Sequence, residues 1–448
     1  MKNFSGRMAP MIIKSCFIFF IAGGAFLNLS AQNLDRFIDQ NLKEWGEMYR
    51  YLHQHPELSL QEKESSARMA LELRKAGYKV TEGIGGYGVV GVFENGPGPV
   101  LLIRADMDAL PMEEKTGLPF ASTKKGVTPD GKETYIAHSC GHDLHMTVFV
   151  GSAQAMIANK DQWSGTLLMV AQPSEENGMG AYNMMKDGLY ERFPHPDYAI
   201  ALHDDPFIPS GTVGYTVGPA MAGVDMMTIT VFGEGGHGAF PHNTIDPVVL
   251  SAQMIMAFQT IVSRNVKPIQ PSVITVGAIH GGTVANIIPD QVTMSITVRQ
   301  YDMNVRNYIL QRIEDIAFHL AKAAGLKEEK MPKIEIRQPN TPPVLNDKDL
   351  TLQMVEILSR HLGPEKVVEK EPVMGGEDFS QFGNQARQIP ISMFFLGAGN
   401  QEKINQAKES GEELPGLHSP YFAPEYEPAI KTGVKAMALF AMDILKKE

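Results

Sequence analysis

Cysteine is nearly absent: the 448-residue chain carries two, Cys16 and Cys140. Cys16 lies in a leading segment whose only charges are Lys2, Arg7 and Lys14. An apolar run then reaches Leu29 and meets Ser30-Ala31-Gln32, a site suited to cleavage. Residues 1–31 therefore read as an export signal peptide, and the expected mature protein is periplasmic or secreted, with Cys140 as its lone thiol. No intramolecular disulfide can form, so that thiol is either a small buried hydrophobe or a thiolate held by something. The apolar run is too short and too glycine-rich to span a bilayer. Lys14 also stands where lipid attachment at Cys16 would need an apolar residue, so no stable membrane association is expected once the signal is removed.

Blocks of positive charge are lacking too. Lys+Arg number 40 against 51 Asp+Glu, a formal net charge of −11. A surface that acidic repels phosphate backbones, which excludes nucleic acid as a partner. There is no internal repeat, no low-complexity stretch, no Walker lysine loop, no G-x-S-x-G elbow and no H-E-x-x-H helix. Gly83-Ile84-Gly85-Gly86-Tyr87-Gly88 matches G-x-G-x-x-G literally, but Val89 to Phe93 behind it is strand-like. A dinucleotide fingerprint must open a helix, so this one reads as a hairpin turn.

What is present is a 43% hydrophobic chain, enough for two or three domains. Leu34 to Gly77 has helical periodicity, with a helix expected to enter at His53-Gln54-His55-Pro56-Glu57 and run from Leu58 to Arg74. Apolar runs and helical stretches then alternate, the pattern of an α/β fold with a mainly parallel, helix-flanked sheet. Three runs end in chemistry: Val100 to Ile103 in Arg104-Ala105-Asp106-Met107-Asp108, Leu167 to Ala171 in Gln172-Pro173-Ser174-Glu175-Glu176, and Ala199 to Leu202 in His203-Asp204-Asp205. In open α/β sheets the ligand crevice lies beyond such carboxyl ends. From Gly223 the order becomes strand, helix, strand, strand, helix, strand, a small α+β unit inserted at 223–339. That leaves 32–222 and 340–448 as one discontinuous larger domain.

Cys140-Gly141-His142-Asp143-Leu144-His145 is hard to explain as packing. A thiol and an imidazole two residues apart, with glycine between, suit two ligands on one borderline cation. The helix expected over Met146 to Ala158 would place Cys140 near its positive end. His138 and His145 are candidates for supporting roles, and His53 with His55 reads as structural. Adjacent Glu175 and Glu176 on an extended segment would point opposite ways, one toward a metal and its neighbour toward a bound water; a solvated acidic turn is the plainer alternative.

From about Trp45 onward the chain resembles the zinc-dependent amidohydrolase and carboxypeptidase superfamily, in the branch of hippurate hydrolase, N-acetyl-diaminopimelate deacetylase and plant auxin-conjugate hydrolases. The resemblance is carried in order by LHQHPELS, IRADMDALP, HSCGHDLH, QPSEENGMGA, GEGGHGAFPH, GGTVANIIPD, MGGEDFSQF and LHSPYF. It implies a zinc-exopeptidase-like catalytic domain with an inserted ferredoxin-like lid that dimerises. It also implies two divalent metal ions, zinc first, with Mn, Co or Ni tolerated. By the same resemblance Cys140, His142, Glu176, His203 and His418 are the metal ligands and Glu175 is the catalytic base. Asp108 orients the site, and His237 and Asn286 of the lid contact substrate, His237 in the partner's active site. The expected activity is hydrolysis of the amide bond of N-acyl amino acids or small peptides by an exported homodimer. A dipeptidase or carboxypeptidase is the runner-up, and a non-catalytic binder of amino-acid conjugates the rival from another class. Ser139, Ser174, Asp204 and Asp205 depart from the branch's usual small or apolar residues.

Overall fold

The computed structural model describes residues 17–383 and 389–447, with side chains from residue 32 onward. Of the expected export segment, residues 1–16 and every side chain to 31 lie outside the described residues. The backbone is helical over Phe17–Gln54. Among the described residues no helix is long and apolar enough to cross a membrane.

The larger domain is built on an eight-stranded sheet in the order Lys79–Ile84, Gly88–Glu94, Thr166–Gln172, Val100–Asp106, Tyr198–Pro209, Ile391–Gly399, Val213–Tyr215, Val367–Glu369. Its centre is parallel: Val100–Asp106 pairs with both Thr166–Gln172 and Tyr198–Pro209, which in turn pairs with Ile391–Gly399. These central strands are near-continuous apolar runs because both faces are covered, and all nine residues of Ile391–Gly399 are buried. One face packs on Phe17–Gln54, Lys63–Ala76, His142–Ala158 and Tyr426–Ile444, with Trp45, Tyr49, Trp163 and Phe440 in that core. The glycine-rich stretch at 83–88 is the turn of an antiparallel hairpin, Lys79↔Val92 to Ile84↔Gly88.

The expected helix from Leu58 begins later, at Lys63. Leu58 is drawn instead into a bridge with Ala109, and the Glu57 carboxylate accepts the backbone N–H groups of Glu64 and Ser65 at 3.1 and 2.8 Å. The first turn is thereby capped from outside, and the preceding chain is free to run beside the site. The helix does stop at Gly77, whose φ of 98° only glycine adopts without strain.

Between Gly223 and Ile336 lies a second layer pair. Four antiparallel strands, ordered Ser272–His280, Gln291–Gln300, Gly223–Phe232, Lys333–Ile336, carry the helices Pro247–Thr260 and Met303–Ala323. The burial alternation of Gly223–Phe232 shows one face turned to those helices. Ile229, Val231, Phe258, Met294 and Ile313 form a core separate from that of the larger domain. Asp246 and Asp302 cap the two helices through their carboxylates, each accepting two backbone N–H groups.

Candidate metal centre

Two strand ends and the middle of a third strand converge, because the run expected to end after Leu202 continues as strand through His203, Asp204 and Asp205 to Pro209. Strands Val100–Asp106, Thr166–Gln172 and Tyr198–Pro209 are parallel neighbours, so Asp106, Gln172 and His203 emerge at one edge of the sheet. Helix His142–Ala158 starts there, entered through Gly141 at φ 76°. A Cβ at Gly141 would fall 2.3 Å from Asp204 Oδ1, so only glycine lets Cys140 and His142 face the same point.

The donor atoms of Cys140, His142 and His203 lie within 4.8 Å of one another, and so do those of Cys140, Glu176 and His418. The sulfur is shared between the two groups, the arrangement two neighbouring cations need. Cys140 Sγ is 3.6 Å from His203 Nε2, and His418 Nε2 is 3.4 Å from Glu176 Oε2. His142 Nε2 is 4.0 Å from Glu176 Oε1 and 3.9 Å from Glu175 Oε2. Atoms bound about 2.0–2.3 Å from one tetrahedral ion are roughly 3.3–3.8 Å apart, so these spacings fit with little movement.

Tautomers are fixed from behind. His142 Nδ1 donates to the Asp108 carbonyl at 2.8 Å and His203 Nδ1 to the Asp204 carbonyl at 2.9 Å, which leaves each Nε2 lone pair facing the others. His142 Nε2 and Glu176 Oε1 are buried without any hydrogen-bond partner. Buried groups are rarely left so, and a cation satisfies both. Burial, then the Glu176 charge, pushes the Cys140 thiol up; burial lifts Glu176 to about 7. These donors ionise only beside compensating positive charge, so the residues present fit divalent metal.

The two glutamates do not diverge as an extended segment would make them. Ser174 sits at φ 56°, the chain turns, and the N–H groups of Glu175 and Glu176 both donate to the Asp108 carboxylate at 3.0 Å. Both side chains therefore approach His142 from one side. Burial opposes charge on Asp108, but hydrogen bonds involving His142, Ser59 and Glu176 N–H outweigh it and hold the carboxyl below its ordinary range. Burial, with Glu377 and Glu176 alongside, holds the Glu175 carboxyl well above the usual value.

His145, the expected supporting histidine, has Asp106 Oδ1 at 2.7 Å from Nδ1 and Asp204 Oδ1 at 3.0 Å from Nε2. Burial disfavours its charge, yet the two carboxylates push its pKa up to about 9. His53 is buried between Asp143 and Glu114 at 2.7 and 3.1 Å, away from the donors, while His55 is tied to the Tyr51 carbonyl. His138 is buried with neither ring nitrogen hydrogen-bonded.

The donors open into a cleft of about 440 Å³ between the two domains, with Met226, Arg299 and Arg337 of the small domain on its far wall. Arg299 Nη1 donates to the Met374 carbonyl at 2.6 Å and Arg337 Nη2 to the Asn177 carbonyl at 2.8 Å. Neither arginine was signalled by sequence spacing, nor was the role of Glu377 and Asp378, which line the cleft beside Glu175 and pair with buried Arg104. His237 and Asn286 lie together, with Gly238 N–H donating to the Asn286 carbonyl at 2.8 Å. Both are exposed, and neither lines their own chain's cleft.

The chain is similar to known proteins over most of its length. The sequence pattern of peptidase family M20/M25/M40 matches residues 102–443. The chain is 37% identical over 377 residues to the N-acetyl-L-cysteine deacetylase of Bacillus subtilis, covering 84% of this chain and 85% of that protein. It is 34% identical to the N-acetyldiaminopimelate deacetylase of Lactobacillus helveticus, covering 88% and 96%. It is 37% identical to thermostable carboxypeptidase 1 of Saccharolobus solfataricus, covering 91% and 97%. Among solved structures, a dinuclear metal-binding peptidase of the M20 family from Bacillus subtilis superposes with a TM-score of 0.73 at 28% identity, covering 91% of this chain and 99% of that one.

Proposed function

Since the chain belongs to peptidase family M20/M25/M40 and is a metal-dependent amidohydrolase, we propose that it releases free amino acids from N-acyl amino acids. The observation that carries this reading is the pair of overlapping donor groups that share Cys140 and open, beside Glu175, into a cleft with two guanidinium groups opposite. Those arginines suit the carboxylate of an acylated amino acid.

Cys140, His142, Glu176, His203 and His418 would hold two divalent ions, zinc being favoured by the thiolate and imidazole donors. When bound, such ions polarise the scissile carbonyl and lower the pKa of water. Glu175 then accepts the proton of the attacking water and returns it to the departing amine, without which the tetrahedral adduct would collapse backward. Asp108 holds the turn that presents the glutamate, and Met221, Val224 and Met226 give the cleft an apolar wall for the acyl group.

Glu175→Gln is expected to keep its metals by elemental analysis while turnover of N-acyl amino acids falls about 10²- to 10⁴-fold. Near-normal turnover would remove the proposed base.

The reading extends to a homodimer in which His237 and Asn286 of one lid complete the cleft of the other chain. It is supported by their exposure and by neither of them lining the cleft of its own chain. Mixing inactive Glu175→Gln and His237→Ala proteins is expected to restore activity, because a mixed dimer regains one complete site; unrestored mixtures would show that the lid acts within its own chain. The basic, apolar amino-terminal segment supports an exported protein, which fractionation of a native host would test.

A further inference from the structure

Resting on this two-cation reading, we infer that Asp204 is a positioning residue of the metal centre, a buried anion that sets how tightly the cations are held. Asp204 follows His203 in the middle of strand Tyr198–Pro209 and is 1% exposed. Its Oδ1 lies 3.0 Å from His145 Nε2 and 3.5 Å from His203 Nδ1. The same oxygen abuts Gly141, where a Cβ would come within 2.3 Å of it. One carboxylate therefore touches the turn carrying Cys140 and His142 and sits behind the ring of His203.

Packing alone does not account for it. Asp204 Oδ2 is buried and has no hydrogen-bond partner. A buried carboxylate with an open oxygen is costly unless positive charge stands close by. His145 Nε2 faces Oδ1 but also meets the Asp204 backbone N–H at 2.9 Å, and Asp106 claims the same imidazole on its other nitrogen at 2.7 Å. Lys370 is taken by the next residue, Asp205, and Arg104 by Asp106, Glu377 and Asp378. Two carboxylates around one imidazole leave this layer short of positive charge. Cations held by the donor cluster that includes His203 and Cys140 would supply it. The Asp204 backbone carbonyl fixes the His203 ring, and the carboxylate 3.5 Å from Nδ1 adds negative charge behind it, which raises the basicity of the ligating nitrogen.

The test uses the full chain, freed of metal with a chelator and titrated with Zn(II) or Co(II) against a competing indicator. Asp204→Asn and Asp204→Ala are compared with wild type and with Asp205→Asn, whose carboxylate faces Lys370. The Asp204 variants are expected to bind at least one cation about 10- to 100-fold more weakly and to shift the thiolate-to-cobalt charge-transfer band. Asp205→Asn should match wild type in both. Metal-free, the Asp204 variants should resist urea at least as well as wild type, because an uncompensated anion has gone. Wild-type affinity and band position in the folded variants would overturn the inference. Loss of the fold in both metal-free variants would do so too, showing a structural role instead. If wild type itself binds no cation, the metal-centre reading fails first and takes this inference with it.

Discussion

Arg104 offers the sharpest test of how the site is supported. It is charged yet fully buried in the central strand Val100–Asp106, and its guanidinium reaches Asp106 at 2.6 Å, Glu377 at 2.7 Å, Asp378 at 3.2 Å and the Gln172 side chain at 2.8 Å. Arg104→Met keeps the length and removes the charge. Counting each charge-assisted bond at about 1.5–3 kcal/mol would give an implausibly large sum. The stranded carboxylates can instead take up protons, which caps the loss, and removing one partner of a buried ion pair costs about 3–5 kcal/mol. That range is the expected destabilisation.

Urea unfolding followed by tryptophan fluorescence measures it cleanly, because Trp45 and Trp163 both lie in the larger domain's core. The pH dependence supplies the sign. Burial holds the Asp378 carboxyl at about 7 even with Arg104 beside it, and without the arginine the Asp378 and Asp106 carboxyls rise. A carboxyl raised in the folded state contributes stability below its unfolded pKa of about 4, and that contribution is lost as pH climbs through the folded value. The deficit of Arg104→Met should therefore be larger at pH 8 than at pH 5. Arg104→Lys should recover only part of it, since an ammonium lacks the planar fork that meets several carboxylates at once. An unchanged urea midpoint, or a deficit that grows toward low pH, would refute the reasoning.

The turn that presents the glutamates gives two further expected outcomes. A Cβ at Gly180 would lie 1.6 Å from the Pro173 carbonyl oxygen, so Gly180→Ala must displace the 173–180 loop. Its amidohydrolase activity should fall far more than its melting temperature, and an alanine variant with wild-type kcat/KM would show that the loop tolerates movement. Glu62 accepts the Ser174 N–H at 2.7 Å, and burial, with Asp108 nearby, raises it to about 7. Its contribution is present below about pH 4 and fades as pH rises through 7. In metal-free protein, Glu62→Gln should lose least, or gain, at pH 8 relative to pH 5; the opposite trend in urea midpoints would contradict the assigned shift.

Much of the site was legible because metal chemistry restricts residue type and local spacing. Cys140-Gly141-His142 needs only three consecutive residues and one glycine to aim two donors together, so it is visible without a fold. The parallel sheet was legible for a similar reason: apolar runs ending in acids mark the ligand side, although the strand carrying His203 continues past its acids to Pro209. The G-x-G-x-x-G stretch was correctly set aside because Val89 to Phe93, directly behind it, is strand-like, and the two together form a hairpin.

What sequence alone could not decide depended on contacts between distant segments. Glu175 and Glu176 should point apart on an extended chain, but Asp108, far away in sequence, gathers both of their N–H groups and turns them to one side. Leu58 has helical neighbours, yet a bridge to Ala109 removes it from the helix. Arg104 looks like a polar interruption in an apolar strand, and only the approach of Glu377 and Asp378 makes it the buried counter-charge of the site. Likewise, whether His237 and Asn286 meet a substrate depends on where a second surface comes to rest, which no local pattern encodes. Composition and spacing determined which side chains can bind a cation and which strands align. Burial decided which of them carry charge, because the cost of an ion is set by everything packed around it.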